Sequence, residues 1–165
     1  MFELKLMVAA DKAAAYSALE EQLRALLAGE RDFVANAANT TALIYHALPG
    51  LNWAGFYRLV GDTLLLGPFQ GKPACVRIPV GKGVCGTVAA RREAVLAPNC
   101  RAFPGHIACD PASASELAVP LLKGGVLLGV LDLDSPICNR FDEADQAGLE
   151  RLVAVFLEST DPATP

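Results

Sequence analysis

Two short polar breaks between apolar segments constrain this chain most. LNWAGFYRLV (51–60) and TLLLGPF (63–69) are separated only by Gly61-Asp62, and residues 115–122 and 126–134 only by Lys123-Gly124-Gly125. Links that short join antiparallel neighbours, because a parallel crossover needs about a dozen residues or more. Further extended segments are expected at 74–79 (ACVRIP) and 94–97. Helical spacing places Tyr16, Leu19, Leu23, Leu26 and Leu27 on one stripe of a helix over 12–28. Phe33, Val34, Ala37, Thr41, Ile44 and Leu48 form the stripe of a second helix over 31–48, which Pro49-Gly50 ends. A short helix is expected over 84–92. A last one runs over 142–159, with Asp142 as its N-cap and Leu149, Leu152, Val153, Phe156 and Leu157 as its apolar face. This order predicts an α+β fold, a central antiparallel sheet of about six strands with helices packed on it.

The 165 residues are 53% hydrophobic, enough for one core. We therefore expect one domain over 1–165, its core at 12–160, with the DPATP tail frayed. Net charge is -4, and Arg91-Arg92 is the only adjacent basic pair. Neither nucleic acid nor an anionic membrane is an expected partner. No apolar run reaches the ~18 residues of a spanning helix. MFELKLMVAAD has a single lysine and a short apolar stretch, unlike a secretory leader, so the expected location is cytoplasmic.

Five cysteines (Cys75, Cys85, Cys100, Cys109, Cys138) include no C-x-x-C pair. The odd number argues against a disulfide framework and the spacing against structural zinc. His106 and Cys109 form a lone H-x-x-C, too little to hold a metal. Four cysteines between residues 75 and 109 suggest reactivity rather than packing alone.

Four constellations bear on chemistry. Gly81, Gly83 and Gly86 spell G-x-G-x-x-G after a strand and before a helix, but no βαβ repeat surrounds them and no acidic residue closes a following strand. The helix start could hold a carboxylate or lower the pKa of Cys85, and a tight turn explains the glycines equally well. Glu116, Asp132 and Asp134 form an acidic set. Alternation puts Val126, Leu128, Val130, Asp132 and Asp134 on one strand face, and a three-residue turn at 123–125 would set Glu116 opposite Asp132. Such crowding calls for a cation or a shared proton, and a ligand ammonium would serve. The loop 98–113 carries Cys100, His106 and Cys109. A cysteine on a polar loop can reach both ligand and solvent, while His106 is more simply a loop cap. Trp53 and Tyr57 share one strand face with Gly55 between them, leaving room for a ligand.

NWAGFY, GPFQGKPACVRIPVGKGVCGT, FPGHIACD, SELAVPL and GVLDLDS cover most of residues 51–135. Together they resemble the free methionine-R-sulfoxide reductases, enzymes built on a single GAF domain. The resemblance implies a GAF-like sheet and no cofactor. It implies Cys109 as the catalytic cysteine, Cys75 as the principal resolving cysteine and Cys85 as a third cysteine that can enter disulfide exchange. It further implies that Glu116, Asp132 and Asp134 line the substrate pocket, with Trp53 beside the substrate methyl and Tyr57 next to it. Cys100 departs from the pattern, as do LAPN before it and Cys138, and Cys100 emerges as a competitor for the resolving role. The implied reaction is reduction of free L-methionine-(R)-S-oxide. Cys109 attacks the sulfoxide sulfur, a carboxylic acid (Asp134 or Glu116) donates the proton, and a Cys75–Cys109 disulfide is recycled by a thioredoxin-type reductant. A homodimer through the exposed stripe of the first helix is a further expectation. A ligand-binding GAF sensor and a cysteine redox sensor are the alternatives.

Overall fold

The computed structural model describes residues 11–107 and 109–161. Helix α1 (Lys12–Leu26) starts where the Asp11 carboxylate accepts the Ala13 N–H, and α2 (Phe33–Ala47) where Asp32 accepts that of Ala35. Strands β1 (Trp53–Val60), β2 (Thr63–Gly71) and β3 (Arg77–Pro79) follow, then α3 (Gly83–Arg91) and β4 (Val95–Ala97). A single 3₁₀ turn at Cys100–Ala102 leads to β5 (Ser115–Lys123), β6 (Val126–Ser135) and α4 (Glu143–Ser159). Asp142 does cap α4, in a reciprocal box with Asp145. The expected extended segment at 74–79 shortens to β3, which leaves Cys75 in a connecting loop.

The six strands form one sheet in the order β3-β2-β1-β6-β5-β4, every neighbouring pair antiparallel. Helices α1, α2 and α4 cover one face, where Tyr16, Leu23, Ile44, Phe56, Leu131 and Phe156 are buried in a common core. The rings of Phe56 and Phe156 stack at 4.6 Å, and Phe33 meets both edge-on. Two expectations change on this face. Val34 points outward at 60% exposure. The apolar stripe of α1 is buried within the chain: the Tyr16 ring lies where a side chain at Gly148 would be, and its hydroxyl donates to Asp145 at 3.0 Å. That stripe therefore offers no surface for a dimer.

The opposite face carries α3 and the 98–113 loop over Trp53, Tyr57, Ala118 and Val130. What aims side chains into it is a turn and a bulge acting together. The turn after β5 has two residues, not three: Lys123 pairs with Val126, and Gly124 and Gly125 both take positive φ (58° and 79°), as this kind of tight turn demands. By itself that turn would swing Glu116 to the helical face. Leu121 pairs with Gly129, however, and Leu122 with Leu127, so Leu128 is an extra residue that moves the register by one. Glu116 thus pairs with Asp134 rather than Asp132, and Ala118 with Asp132. All three carboxylates share one face, although the expected alternation holds only from Val130 onward. Leu127 packs on the same side as Val130, and Leu128 against the helical core.

Candidate active site

The acidic strand ends, the start of α3 and the two loops bearing Cys75 and Cys109 surround a single cavity. Cys109 and Cys75, 34 residues apart, are joined in a disulfide with Cα atoms 5.6 Å apart. Trp53, Tyr57, Cys85, Cys109, Glu116, Asp132 and Asp134 all line the cavity, and the disulfide ties Cys75 to Cys109 of its wall. With the disulfide closed the cavity is small, ≈ 30 Å³ on the scale on which one water needs about 10–15 Å³.

The floor is acidic and buried. Glu116 and Asp132 are 6% and 5% exposed, and the Cys85 thiol approaches Glu116 Oε1 at 3.7 Å. Burial, reinforced by the charges of Asp132 and Asp134, pushes the Glu116 carboxyl well above its usual range. Burial lifts Asp132 to about 7, against the hydrogen bonds it accepts from Cys85 and Glu116. Burial, with the charges of Asp132 and Asp110, raises Asp134 as well. At neutral pH the set therefore holds protons that isolated carboxylates would have lost.

The same surroundings overturn one expectation. Cys85 lies in the first turns of α3, yet burial and the Asp132 and Glu116 charges push its thiol well up instead of down. Desolvation beside two acids outweighs a helix dipole good for about 1 kcal/mol. The glycines serve the turn: Gly81 and Gly83 have φ of 86° and 62°, and a Cβ on Gly86 would come within 2.5 Å of the Pro79 carbonyl.

The aromatic wall also differs from expectation. The space before Gly55 is filled by the indole of Trp53 itself, 2.2 Å from where a Cβ would sit. The indole stacks between Tyr57 and Phe69 at 5.9 and 5.4 Å. Both polar tips tether the Cys75 loop: Trp53 Nε1 donates to the Lys72 carbonyl at 3.2 Å, and the Tyr57 hydroxyl to the Cys75 carbonyl at 3.0 Å. Across the disulfide, Lys72 forms an ion pair with Asp110 at 3.2 Å. Asn52 braces Asp110 and Ser113 at 3.4 and 3.1 Å. Sequence reading singled out none of Asn52, Lys72, Asp110 and Ser113. Asn52 (NWAGFY), Lys72 (GPFQGKPACV) and Asp110 (HIACD) lay within matched segments, and Ser113 just outside them.

Cys100 stands apart from the Cys75–Cys109 disulfide. It is fully buried, and its thiol donates to the Ser113 carbonyl at 3.3 Å. His106 donates its backbone N–H to the Phe103 carbonyl, its side chain lines the same cavity as Cys109, and burial lowers its imidazole pKa.

The GAF domain family matches residues 7–158. The chain is 53% identical over 144 residues to the free methionine-R-sulfoxide reductase of Escherichia coli, spanning 87% of each protein. The crystal structure of the free methionine-R-sulfoxide reductase of Neisseria meningitidis in complex with its substrate superposes with a TM-score of 0.91 at 43% identity, over 96% of this chain and 95% of that one. The chain belongs to the free methionine-R-sulfoxide reductase family. A putative GAF sensor protein from Burkholderia vietnamiensis is also similar, 56% identical with a TM-score of 0.89, over 92% of this chain and 96% of that one. Within this family of single-GAF proteins, the cavity beneath the Cys75–Cys109 disulfide is the candidate active site.

Proposed function

We propose that the protein reduces free L-methionine-(R)-S-oxide to methionine, with Cys109 as nucleophile. The observation that carries this reading is the Cys75–Cys109 disulfide standing over a buried, proton-holding acid cluster. In the reduced protein the Cys109 thiolate attacks the sulfoxide sulfur. The oxygen must gain a proton as its bond to sulfur weakens, and Glu116 or Asp134 supplies it. The sulfoxide is reduced by two electrons to the thioether, and Cys109 leaves the step as a sulfenic acid. The Cys75 thiol condenses with it, releasing water and forming the disulfide. The remaining acids hold the substrate ammonium. A peptide nitrogen carries no such charge and would leave the acids unpaired, which gives the preference for the free amino acid.

Incubating the purified chain with the two methionine sulfoxide epimers and dithiothreitol tests the proposal. The R epimer should disappear while the S epimer and peptide-bound sulfoxide persist. Survival of both free epimers would refute it, and consumption of peroxide in their place would favour a thiol sensor or scavenger.

We further propose a thioredoxin-type dithiol protein as reductant, acting in the cytoplasm. Val76, next to Cys75, is 61% exposed and gives such a partner an apolar foothold beside the disulfide. Val76→Glu should leave turnover with dithiothreitol unchanged and slow turnover driven by thioredoxin about tenfold, the scale of one lost apolar contact. Equal effects with both reductants would remove this docking site. Three free cysteines, Cys138 among them exposed, fit a reducing compartment. Among the described residues no helix is long and apolar enough to cross a membrane. The homodimer belongs to this proposal too, on a surface other than the stripe of α1.

A further inference from the structure

The floor of the cavity has the makings of a metal site that the sequence did not announce. Cys85 Sγ and carboxylate oxygens of Glu116 and Asp132 all lie within 4.8 Å of one another. The three residues come from α3, β5 and β6 and meet only because the bulge at Leu128 sets the register. Asp132 Oδ1 is buried without a hydrogen-bond partner, on a residue 95% buried that faces the cavity. An unpartnered carboxylate oxygen in so buried a place lacks the compensation that buried polar atoms ordinarily find.

We propose that Cys85, Glu116 and Asp132 bind one zinc ion, and that the ion and the sulfoxide substrate exclude each other. One thiolate and two carboxylates suit zinc and do not suit magnesium or calcium, which take oxygen ligands alone. The 3.7 Å between Cys85 Sγ and Glu116 Oε1 is close to the roughly 3.5 Å edge of a tetrahedron with zinc–sulfur and zinc–oxygen bonds of ordinary length. Asp132 offers its carboxylate oxygen within 4.8 Å of both other donor atoms, and a water would take the fourth position. All three residues line the same cavity, so an ion can reach them from it. On binding, the Cys85 thiol gives its proton to solvent and its sulfur becomes a zinc thiolate, with no change of oxidation state. Two of the three acids are then committed to the metal. The site itself stands independently of the reductase reading. That zinc switches off turnover rests on that reading, since it occupies the groups that would hold the ammonium and supply the proton.

Cadmium, whose thiolate bonds absorb in the ultraviolet, is the probe. It is titrated into the full chain carrying Cys138→Ser, with the Cys75–Cys109 disulfide intact, no reductant and no substrate. One equivalent should bind with the thiolate band, and zinc should displace it. Adding Cys85→Ser should abolish the band, and adding Asp132→Asn should weaken binding at least tenfold. A band that survives Cys85→Ser, or its absence at a large excess of cadmium, overturns the site. If Cys85→Ser does not fold, Asp132→Asn decides alone, and unchanged affinity overturns it. A separate assay of the reduced enzyme should show zinc inhibition that excess sulfoxide relieves. A protein that binds cadmium as described but turns over neither epimer would keep the metal site and lose the reductase. One that turns over the R epimer without binding cadmium would do the reverse.

Discussion

Cys109→Ser abolishes turnover of the R epimer, by about 10⁴-fold or more, the scale on which removal of a covalent nucleophile is felt. A serine hydroxyl is a far weaker nucleophile than a thiol unless a base activates it, and its oxygen cannot form the disulfide with Cys75 that resolves the reaction. Companion variants separate the roles. Cys75→Ser should yield one equivalent of methionine in a single turnover and then recycle poorly with thioredoxin. Cys100→Ser should recycle as the wild type does, because the Cys100 thiol is buried and committed to the Ser113 carbonyl. Quantifying methionine in a burst experiment distinguishes the three. Wild-type turnover by Cys109→Ser would remove the site assignment altogether.

Glu116→Gln should lower kcat by about 100-fold, the usual contribution of a positioned acid, and at the same time raise thermal stability. The sign follows from the direction of the shift. Burial and the Asp132 and Asp134 charges hold the folded carboxyl above its unfolded value. Its contribution to stability is therefore fully present below the unfolded value and is lost as pH rises through the folded one. At neutral pH the wild type carries crowded, partly ionised acids in a buried place. An amide of the same shape removes one of them, and a gain of about 1 kcal/mol would appear as a Tm higher by roughly 3 °C. The Tm of the variant should also fall less steeply between pH 5 and pH 8. A calorimetric scan across that interval, run beside the kinetics, reads both. Loss of activity with equal loss of stability would mean that Glu116 serves packing rather than proton transfer.

The architecture was legible wherever one physical signal dominated. Asp142 before the stripe of Leu149, Leu152 and Phe156 announces α4, and Gly61-Asp62 announces the β1–β2 hairpin. The acid cluster was legible as a face but not as a pairing, because register depends on a turn and a bulge whose effects offset each other. Nothing in GVLLGV marks Leu128 as the extra residue. The conversion of Gly55 from a gap into a seat for the Trp53 indole was likewise hidden, since sequence alone does not say which way a ring folds. Of the eight residues matched to the family motifs, seven line one cavity and Cys75 is tied to it by its disulfide to Cys109. Their supports, Asn52, Lys72, Asp110 and Ser113, were missed because a polar residue in a loop reads as solvated until its partners are seen. Cys85 shows how a local rule fails: its position on a helix argued for ionisation, and neighbours more than thirty residues away in sequence decided otherwise.

The extra residue in β6 ties two lengths together. Dropping one residue from the Gly124-Gly125 turn, or Leu128 from the strand, would each shift the reading frame of β6 against β5 and rotate Asp132 and Asp134 out of step with Glu116. A paired change, one residue gained in the turn as Leu128 is lost from the strand, restores the phase. Relatives that keep the acid cluster should therefore vary in this hairpin by coupled insertions and deletions, and natural length variation there becomes a record of whether the pocket is still in use.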